Sequence, residues 1–336
     1  MRFFILCVCL LNVNNVFAVI VPDLYQVEVA VADQKDSSRN TGVREAFKKL
    51  LVKISGSDDV LNNSLLINAQ DKPEGYLQGY TYHQDGPDSQ AYLQLWFSKE
   101  LVLPLMKKAN ATIWGENRPL LLNWLVIESS KKTIISNKMT QSKASFDNAF
   151  DDRGVPLLWP SLDTRDRRNL SVNDLWSLSS SRINTASTRY DSDAILAGKL
   201  FKSSNGTWKY TGVLTQGHQN KTMNVSGSTS NSVLATLASD VSQYFADQFA
   251  IKSNSMNGHL GVRISVKKIK DFTDYSQVLA YLESLTGVDS VEVAQVDNEE
   301  VQLYLNLEGS WDKVQRIINL DNKLSALQEK EFEWMQ

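Results

Sequence analysis

The residues best suited to chemistry lie in one segment, RGVPLLWPSLDTRDRRNLSVNDLW, which spans 153–176. Asp163 and Asp166 are carboxylates three positions apart, and a carboxylate pair can supply an acid and a base when its surroundings separate the two pKa values. The same segment holds residues that suit the binding of an anion or a protein: Arg165, Arg167, Arg168, Trp159 and Trp176. These seven residues form the predicted site.

Two hypotheses give this segment different roles. In the first, Asp163 and Asp166 are the carboxylates of a metal-independent hydrolase, which requires a concave pocket and raised pKa values. In the second, the arginines and the helix start near Ser171 hold an anion, because a helix N-terminus attracts negative charge. Without either role, the arginines belong to a solvated loop and the tryptophans to the core.

Other catalytic and cofactor motifs are absent from the sequence. The three histidines, His83, His218 and His259, lack partners at the spacing of zinc ligands. The chain has no Gly-x-Ser-x-Gly elbow, no Walker phosphate loop and no Gly-x-Gly-x-x-Gly turn. The sequence therefore predicts no cofactor, no metal site and no catalytic constellation, and it favours a protein that acts without catalysis.

The N-terminus has the pattern of an export signal. A single basic residue precedes the apolar run FFILCVCLL, and Val16 and Ala18 suit a signal peptidase, so we predict that residues 1–18 are cleaved. Cys7 and Cys9 both lie inside this signal, and neither has the small-residue context of a lipoprotein site. The mature chain then carries no thiol and no lipid anchor, which suits the oxidising periplasm.

The overall charge limits the choice of partner. The chain has 35 basic and 38 acidic residues and a formal charge of −3. A surface that binds nucleic acid or anionic membrane is usually strongly basic. We therefore expect no nucleic acid and no integral membrane segment after signal cleavage, and we expect an envelope protein or peptidoglycan as the partner.

Hydrophobic periodicity divides the chain into three blocks of the α+β class. The first block, 19–116, has the order βαββα, and the second, 117–252, has the order βαβαβββα. The third, 258–322, has the βαββα order of a ferredoxin-like sandwich and follows a polar linker, KSNSMNG. A charged tail, 323–336, is predicted to fray or to form a short helix.

The first block contains the most regular stretch of the chain, VADQKDSSRNTGVREAFKKLLVKISG, at 31–56. Its apolar residues recur every three or four positions and form one helical stripe, and Gly56 is predicted to end the helix as a left-handed cap. Four basic residues fall largely between the apolar positions: Arg44, Lys48, Lys49 and Lys53. We predict that they lie on a solvated face opposite the core.

Three segments in order resemble a family of exported Gram-negative proteins filed as domain of unknown function twenty-sixty-six. They are the stretch 27–56, the predicted site segment at 153–176, and ASTRYDSDAILAGKLFKSSNGTWKY at 186–210. The similarity runs from about Leu24 to Phe249. This resemblance implies export, but it implies no activity and no site residue.

The central block also resembles the amino-terminal α/β domain of TolB-type periplasmic proteins, which curli-secretion and penicillin-binding-protein activator lipoproteins share. The similarity rests on DAILAGKL, followed by GTWKYTGVL and a helix. Those relatives are adaptors or assembly factors that bind other envelope proteins, so the resemblance implies a binding role.

The sequence thus predicts a periplasmic, non-enzymatic binding or assembly protein of the bacterial cell envelope, which acts through protein or cell-wall contacts. Two alternatives stay open. One is the periplasmic metal-independent hydrolase that uses the carboxylates of 153–167. The other is a small-ligand or peptidoglycan-binding module that uses the same loop and its arginines. The assembly hypothesis predicts an exposed patch of apolar and aromatic side chains.

Overall fold

The structure, a computed structural model, describes residues 21, 23–84, 89–252 and 260–335. The predicted export signal and residues 253–258 of the predicted linker lie outside this part of the chain. Helices and strands are mixed in three successive units, each built around its own small sheet. The α+β class predicted from the sequence is confirmed.

The first unit is a three-stranded antiparallel sheet covered by helices. Its elements are β1 (Gln26–Val31), α1 (Asp36–Ser55), α2 (Ser64–Asp71), β2 (Leu77–His83), β3 (Ala91–Phe97), α3 (Lys99–Lys108) and β4 (Thr112–Ile113). The strand order is β1-β3-β2. The helix α1 buries Phe47 and Leu50 in the core and ends at Gly56, whose φ of 76° confirms the predicted left-handed cap. The helix α2 was not predicted, because eight residues are too few to show a clear helical stripe.

The central unit is a sheet with helices on both faces. Its elements are β5 (Leu121–Glu128), β6 (Lys132–Ile134), α4 (Thr140–Asp151), β7 (Leu157–Leu158), α5 (Thr164–Asn169), α6 (Val172–Trp176), α7 (Ser180–Ser187), β8 (Ala194–Lys202), β9 (Trp208–Gln216), β10 (Gln219–Gly227), α8 (Ser230–Phe249) and β11 (Ile251–Lys252). The strand order is β10-β9-β8-β5-β6, and β7 pairs in parallel with β5. Buried residues of α4 and α8 pack on one face, and those of α6 and α7 pack on the other.

Two local predictions in the central unit need correction. The pattern of SVNDLWSLSSSRINTASTRY predicts one helix over 171–190, but the structure divides it into α6 and α7, because Leu178 between them has a φ of 57° that no helix continues through. The apolar run VPLLWP, 155–160, predicts a strand, of which only the two-residue β7 forms. The capping box that starts α6 is present as predicted, since Ser171 and Asp174 satisfy each other's backbone N–H groups.

The third unit is a five-stranded sheet. Its elements are β12 (Leu260–Lys267), α9 (Phe272–Ser284), β13 (Val288–Asp297), β14 (Glu300–Leu307), α10 (Trp311–Asp321), β15 (Leu324–Gln328) and β16 (Glu331–Trp334). The strand order is β13-β14-β12-β16-β15. The prediction for the tail was wrong, because 324–334 forms a hairpin rather than a frayed end or a helix. Its Phe332 and Trp334 alternate with glutamates and are buried.

The second and third units share one hydrophobic core. The buried residues of α8, of β11 and of the third sheet form a single cluster, which joins Phe249 and Ile251 to Leu307 and Val314. The first unit has a separate core. Its contact with the central unit includes a two-stranded pairing of β4 with β11. Among the residues described, no helix is both long and apolar enough to cross a bilayer.

One buried cation, Arg118, joins the first unit to the central unit. Its side chain is inaccessible to solvent, and its guanidinium lies 4.0 Å from the ring centroid of Trp114. Its five N–H groups donate to backbone carbonyls of three chain segments: Lys53 at 2.7 Å, Trp114 and Gly115 at 2.8 Å, and Arg153 and Gly154 at 3.0 Å. Burial lowers the pKa of Arg118 to about 9.

The glycine at 154 is required by this arrangement. Its φ is 63°, and a Cβ atom there would lie 2.5 Å from Nη1 of Arg118. A side chain would therefore both strain the backbone and displace the guanidinium.

A second polar contact joins the segment between β4 and β5 to the third unit. The side-chain amide of Asn117 donates to Oδ2 of Asp321 at 2.6 Å, whereas Oδ1 of Asp321 has no hydrogen-bond partner in the described part of the chain. Burial raises the pKa of Asp321 to about 6. The ionised form of this carboxyl is therefore disfavoured in the folded protein.

Replacement of Arg118 by alanine should lower the free energy of unfolding by about 3 to 5 kcal/mol, because it leaves buried carbonyls without donors. Urea unfolding followed by far-UV circular dichroism measures the loss. The matched control is Arg182→Ala, at an exposed position of α7, which should change stability by no more than about 0.5 kcal/mol. Equal urea midpoints for the two variants would contradict the role of Arg118.

The carboxyl of Asp321 should make stability depend on pH. Because its folded pKa of about 6 lies above the unfolded value, its contribution to stability is complete below about pH 4 and is lost as the pH rises through 6. The Asp321→Asn variant should not show this loss. The difference in free energy of unfolding between the variant and the wild type should therefore shift in favour of the variant by about 2 to 3 kcal/mol between pH 4 and pH 7.5. Urea unfolding at both pH values measures it, with Asp312→Asn on the exposed side of α10 as the control. A similar pH response in the two variants would exclude Asp321 as its source.

Candidate functional site

The predicted carboxylates Asp163 and Asp166 are brought together around a cation that the sequence did not indicate. Asp163 caps the N-terminus of α5 and accepts from the backbone N–H groups of Arg165 and Asp166 at 2.9 and 3.0 Å. Nη1 of Arg189 lies 2.7 Å from each of its carboxylate oxygens. The hydrogen bond with Arg189 lowers the pKa of Asp163.

Asp166 is fully buried and is held by four donors. The hydroxyl of Tyr190 donates to Oδ2 at 2.5 Å, and the backbone N–H of Leu162 donates to the same oxygen at 2.9 Å. The hydroxyl of Ser161 lies 3.3 Å from Oδ2, and Arg189 donates to Oδ1 at 3.2 Å. The bonding capacity of this carboxylate is used within the protein, which gives it a structural role in fixing α5 against the end of α7.

These contacts do not match the conditions that the hydrolase hypothesis requires. It predicted raised pKa values in a concave pocket, but Asp163 is exposed and its pKa is lowered. On the exposed side of α5, Arg165 and Arg168 lie next to Asp163 in a shallow depression. The predicted anion site near Ser171 is also filled, because Asp174 occupies that helix start through the capping box.

The remaining predicted residues do not form a common surface with these two arginines. Nε of Arg167 donates to the carbonyl of Leu162 at 2.8 Å. Trp159 is buried, and its indole N–H donates to Asp147 at 2.7 Å. Trp176 is half-buried and lies on the face of the central sheet opposite to Trp159. The ammonium of Lys132 is 3.8 Å from the ring centroid of Trp176.

A second candidate site, the inter-unit cleft, lies where the first and third units meet. We define it as the cleft of about 440 Å³ between α3 and the start of β13. Lys99, Leu103 and Lys107 follow one another at intervals of four on α3 and form one wall. The floor is apolar and comes from distant parts of the chain: Ile113, Ile251, Leu285 and Val288. A cleft of this size, with an apolar floor and polar groups around it, can serve as a binding site.

Ion pairs border the inter-unit cleft. Lys99 pairs with Glu116 at 2.7 Å, and Lys107 reaches across to Glu308 of the third unit at 2.5 Å. Tyr25 also lines the cleft, and burial, together with the charge of Glu116, raises the pKa of its hydroxyl. The cleft can therefore offer both signs of charge next to an apolar floor.

No sequence motif indicates the inter-unit cleft. Its lining residues come from four regions that are far apart in the sequence, at 24–25, 99–117, 251 and 283–308. Lys99, Leu103 and Lys107 recur at intervals of four in α3, but this pattern is also common in solvated helices that border no cleft.

A smaller crevice lies between β1, α1 and α4 and corrects the prediction of a solvated basic face for Lys49 and Lys53, whereas Arg44 and Lys48 are exposed as predicted. The side chain of Lys53 is only 5% exposed, and its ammonium is 3.7 Å from Asp151. Burial lowers the pKa of Lys53, and the nearby charge of Arg118 acts in the same direction. Lys49 binds both oxygens of Asp152, at 3.0 and 3.2 Å. The helical pattern of α1 could not show that α4 covers this face.

The comparisons with known proteins find a match over the first unit only. The sequence model of the family described as Domain of unknown function (DUF8605) matches residues 18–115. No curated protein and no solved structure matches the chain significantly. The resemblances to family twenty-sixty-six and to the TolB-type domain are not confirmed by these comparisons.

Replacement of Asp166 by alanine should lower the free energy of unfolding by about 2 to 4 kcal/mol, because it leaves the Leu162 N–H and the Tyr190 hydroxyl without their acceptor. Thermal and urea unfolding measure the loss. The control is Arg168→Ala in the same helix, whose side chain is exposed, and it should change stability by about 0.5 kcal/mol or less. A stability close to that of the wild type in Asp166→Ala would show that the carboxylate is free for another role.

Proposed function

We propose that this protein is a periplasmic binding or assembly accessory of the bacterial cell envelope, and that it holds a segment of its partner in the inter-unit cleft. The observation that carries the proposal is the cleft itself, to which all three units contribute lining residues, the central unit through Ile251. A partner bound there contacts more than one unit at once, and its affinity therefore depends on how the units are held together.

The chemistry of the cleft supports a ligand with both apolar and charged groups. Leu103 lies between Lys99 and Lys107 on the wall, and the glutamates at 116 and 308 lie within reach of these lysines. A peptide offers such a combination, because its side chains can be apolar while its backbone and termini are polar. The periplasmic location rests on the predicted export signal and on the absence of cysteine from 19–336.

The binding of a small ligand or of a peptidoglycan fragment is the second candidate. It is favoured by the volume of the cleft, about 440 Å³, which is within the usual range for small-molecule pockets. The hydrolase hypothesis receives no comparable support, because Asp163 and Asp166 are engaged by Arg189 and Tyr190.

Site-specific photocrosslinking in intact cells tests the proposed function. A benzophenone amino acid placed at Leu103 points into the cleft, whereas the same probe at Leu101 lies on the exposed side of α3, where the leucine is 51% exposed. We expect a discrete protein adduct from position 103 and none from position 101. A muramidase-sensitive adduct at 103 would favour the peptidoglycan alternative.

The same experiment has its own controls. Mass spectrometry of the crosslinked chain should find Val19 as its first residue, which tests the predicted cleavage and export. Identical adducts from both positions, or no adduct from position 103, would contradict binding in the cleft. The two probes lie two residues apart in one helix and point to different sides of it, and differences in expression or folding can be checked directly on the uncrosslinked protein.

A further inference from the structure

The third unit carries a local concentration of negative charge. Between Asp271 and Asp312 the sequence contains ten acidic residues and no lysine, arginine or histidine, although the whole chain has 35 basic and 38 acidic residues. This stretch forms α9, β13 and β14. The negative charge of the third unit is therefore concentrated in α9 and in the hairpin of β13 and β14.

The strand β13 is at the edge of the third sheet. It pairs with β14 along one side, and among the described residues no strand pairs with its other side. Its last six residues, 292–297, are all exposed. An edge strand of this kind presents free backbone N–H and C=O groups, which can pair with an added strand.

The two faces of this edge differ in chemistry. Val293 and Val296 pair with Leu303 and Val301, which are buried, and they therefore point to the side covered by helices. A bulge between 293 and 295 keeps both valines on that side, yet they are 43% and 58% exposed. Apolar groups at an edge can thus be covered by a further strand.

The opposite face of the same edge is acidic. Glu292 pairs with Tyr304, which is exposed, and Asp297 pairs with Glu300. Among the described residues, cations lie on this face only beyond β14, on β12: the guanidinium of Arg263 lies 5.5 Å from the ring centroid of Tyr304, and Lys267 follows Val266, which pairs with Val301. Successive residues of a strand point to opposite faces. A strand added to β13 would therefore meet apolar groups on one face and carboxylates on the other.

An exposed aromatic residue extends the apolar face. Phe272, the first residue of α9, is 79% exposed and stacks on Tyr275 with 5.9 Å between ring centroids. The backbone N–H of Ile269 donates to the carbonyl of Glu299 at 3.0 Å, which holds the start of α9 beside the turn between β13 and β14. Phe272 is therefore at the same end of the unit as Val296.

We propose that β13 binds a basic, extended segment of a partner protein as an additional strand, in which apolar residues alternate with lysine or arginine. The apolar residues cover Val293, Val296 and Phe272, and the basic residues lie opposite Glu292 and Asp297. This proposal rests on the proposed binding function and specifies the chemistry of the partner.

The distribution of charge selects this occupant over a second copy of the chain. Pairing of two β13 strands would bring the acidic faces of two copies together, and like charges across a sheet are unfavourable. Acidic residues alone could serve to prevent edge-to-edge association. The exposed valines and Phe272 do not serve that purpose, because they increase the tendency of an edge to associate.

Binding of synthetic peptides to the full mature chain tests the proposal. The probe is a fluorescein-labelled peptide of four Val-Lys repeats. The comparison peptides are four Val-Glu repeats and a block of four valines followed by four lysines. Fluorescence anisotropy should show the alternating Val-Lys peptide binding at least tenfold more tightly than either, with an affinity that falls as salt is added. Equal binding of the block peptide would overturn strand addition, because it has the same charge and composition.

Matched charge variants locate the site. Glu292→Lys combined with Asp297→Lys should weaken binding of the Val-Lys peptide at least tenfold, whereas Glu45→Lys combined with Asp240→Lys changes the net charge equally at exposed positions of α1 and α8 and should leave affinity within twofold. Phe272→Ser should weaken binding without a change in the salt dependence. Circular dichroism confirms that each variant is folded.

Hydrogen exchange separates this proposal from the function of the cleft. Bound Val-Lys peptide should slow exchange of backbone amides at 292–297. Protection at the inter-unit cleft instead, or an equal loss of affinity in both double variants, would overturn the proposal for β13. Crosslinking from Leu103 is an independent readout, so failure of peptide binding at β13 leaves the result for the cleft unaffected.

Discussion

The hydrogen bonds of Arg118 are the constraint on which the relative positions of the first and central units depend. A buried guanidinium without an adjacent carboxylate carries a large desolvation cost, which only well-directed acceptors can offset. Five backbone carbonyls supply those acceptors, and they belong to the end of α1, to the segment after β4, and to the turn after α4. None of these three segments can move far without leaving part of the charge unsatisfied.

The inter-unit cleft and the crevice against α4 both adjoin this junction. The carbonyl of Gly115 accepts from Arg118, and Gly115 also lines the inter-unit cleft; the carbonyl of Lys53 accepts from Arg118, and Lys53 lines the crevice. Burial lowers the pKa of both Arg118 and Lys53. A ligand that displaced either segment would therefore disturb the same set of hydrogen bonds.

Local signals in the sequence were sufficient to predict much of the secondary structure. The left-handed cap at Gly56, the capping box of Ser171 and Asp174, and the alternating strands all depend on residues close in sequence. The features that could not be predicted depend on contacts between distant segments. A helical stripe shows which residues of α1 are apolar, but it cannot show that α4 covers Lys53. For the same reason, Arg189 gave no signal as the partner of Asp163, although the carboxylates themselves were identified.

The position of β16 determines when the third unit can be completed during synthesis. This strand, from 331–334, is not at the edge of its sheet but lies between β12 and β15. The chain is synthesised from its N-terminus, so β12 is available some sixty residues before the strand that pairs with its second side. Until then β12 keeps an open edge, and Phe332 and Trp334 are missing from the shared core. The third unit therefore reaches its final form only after residues 331–334 have been synthesised.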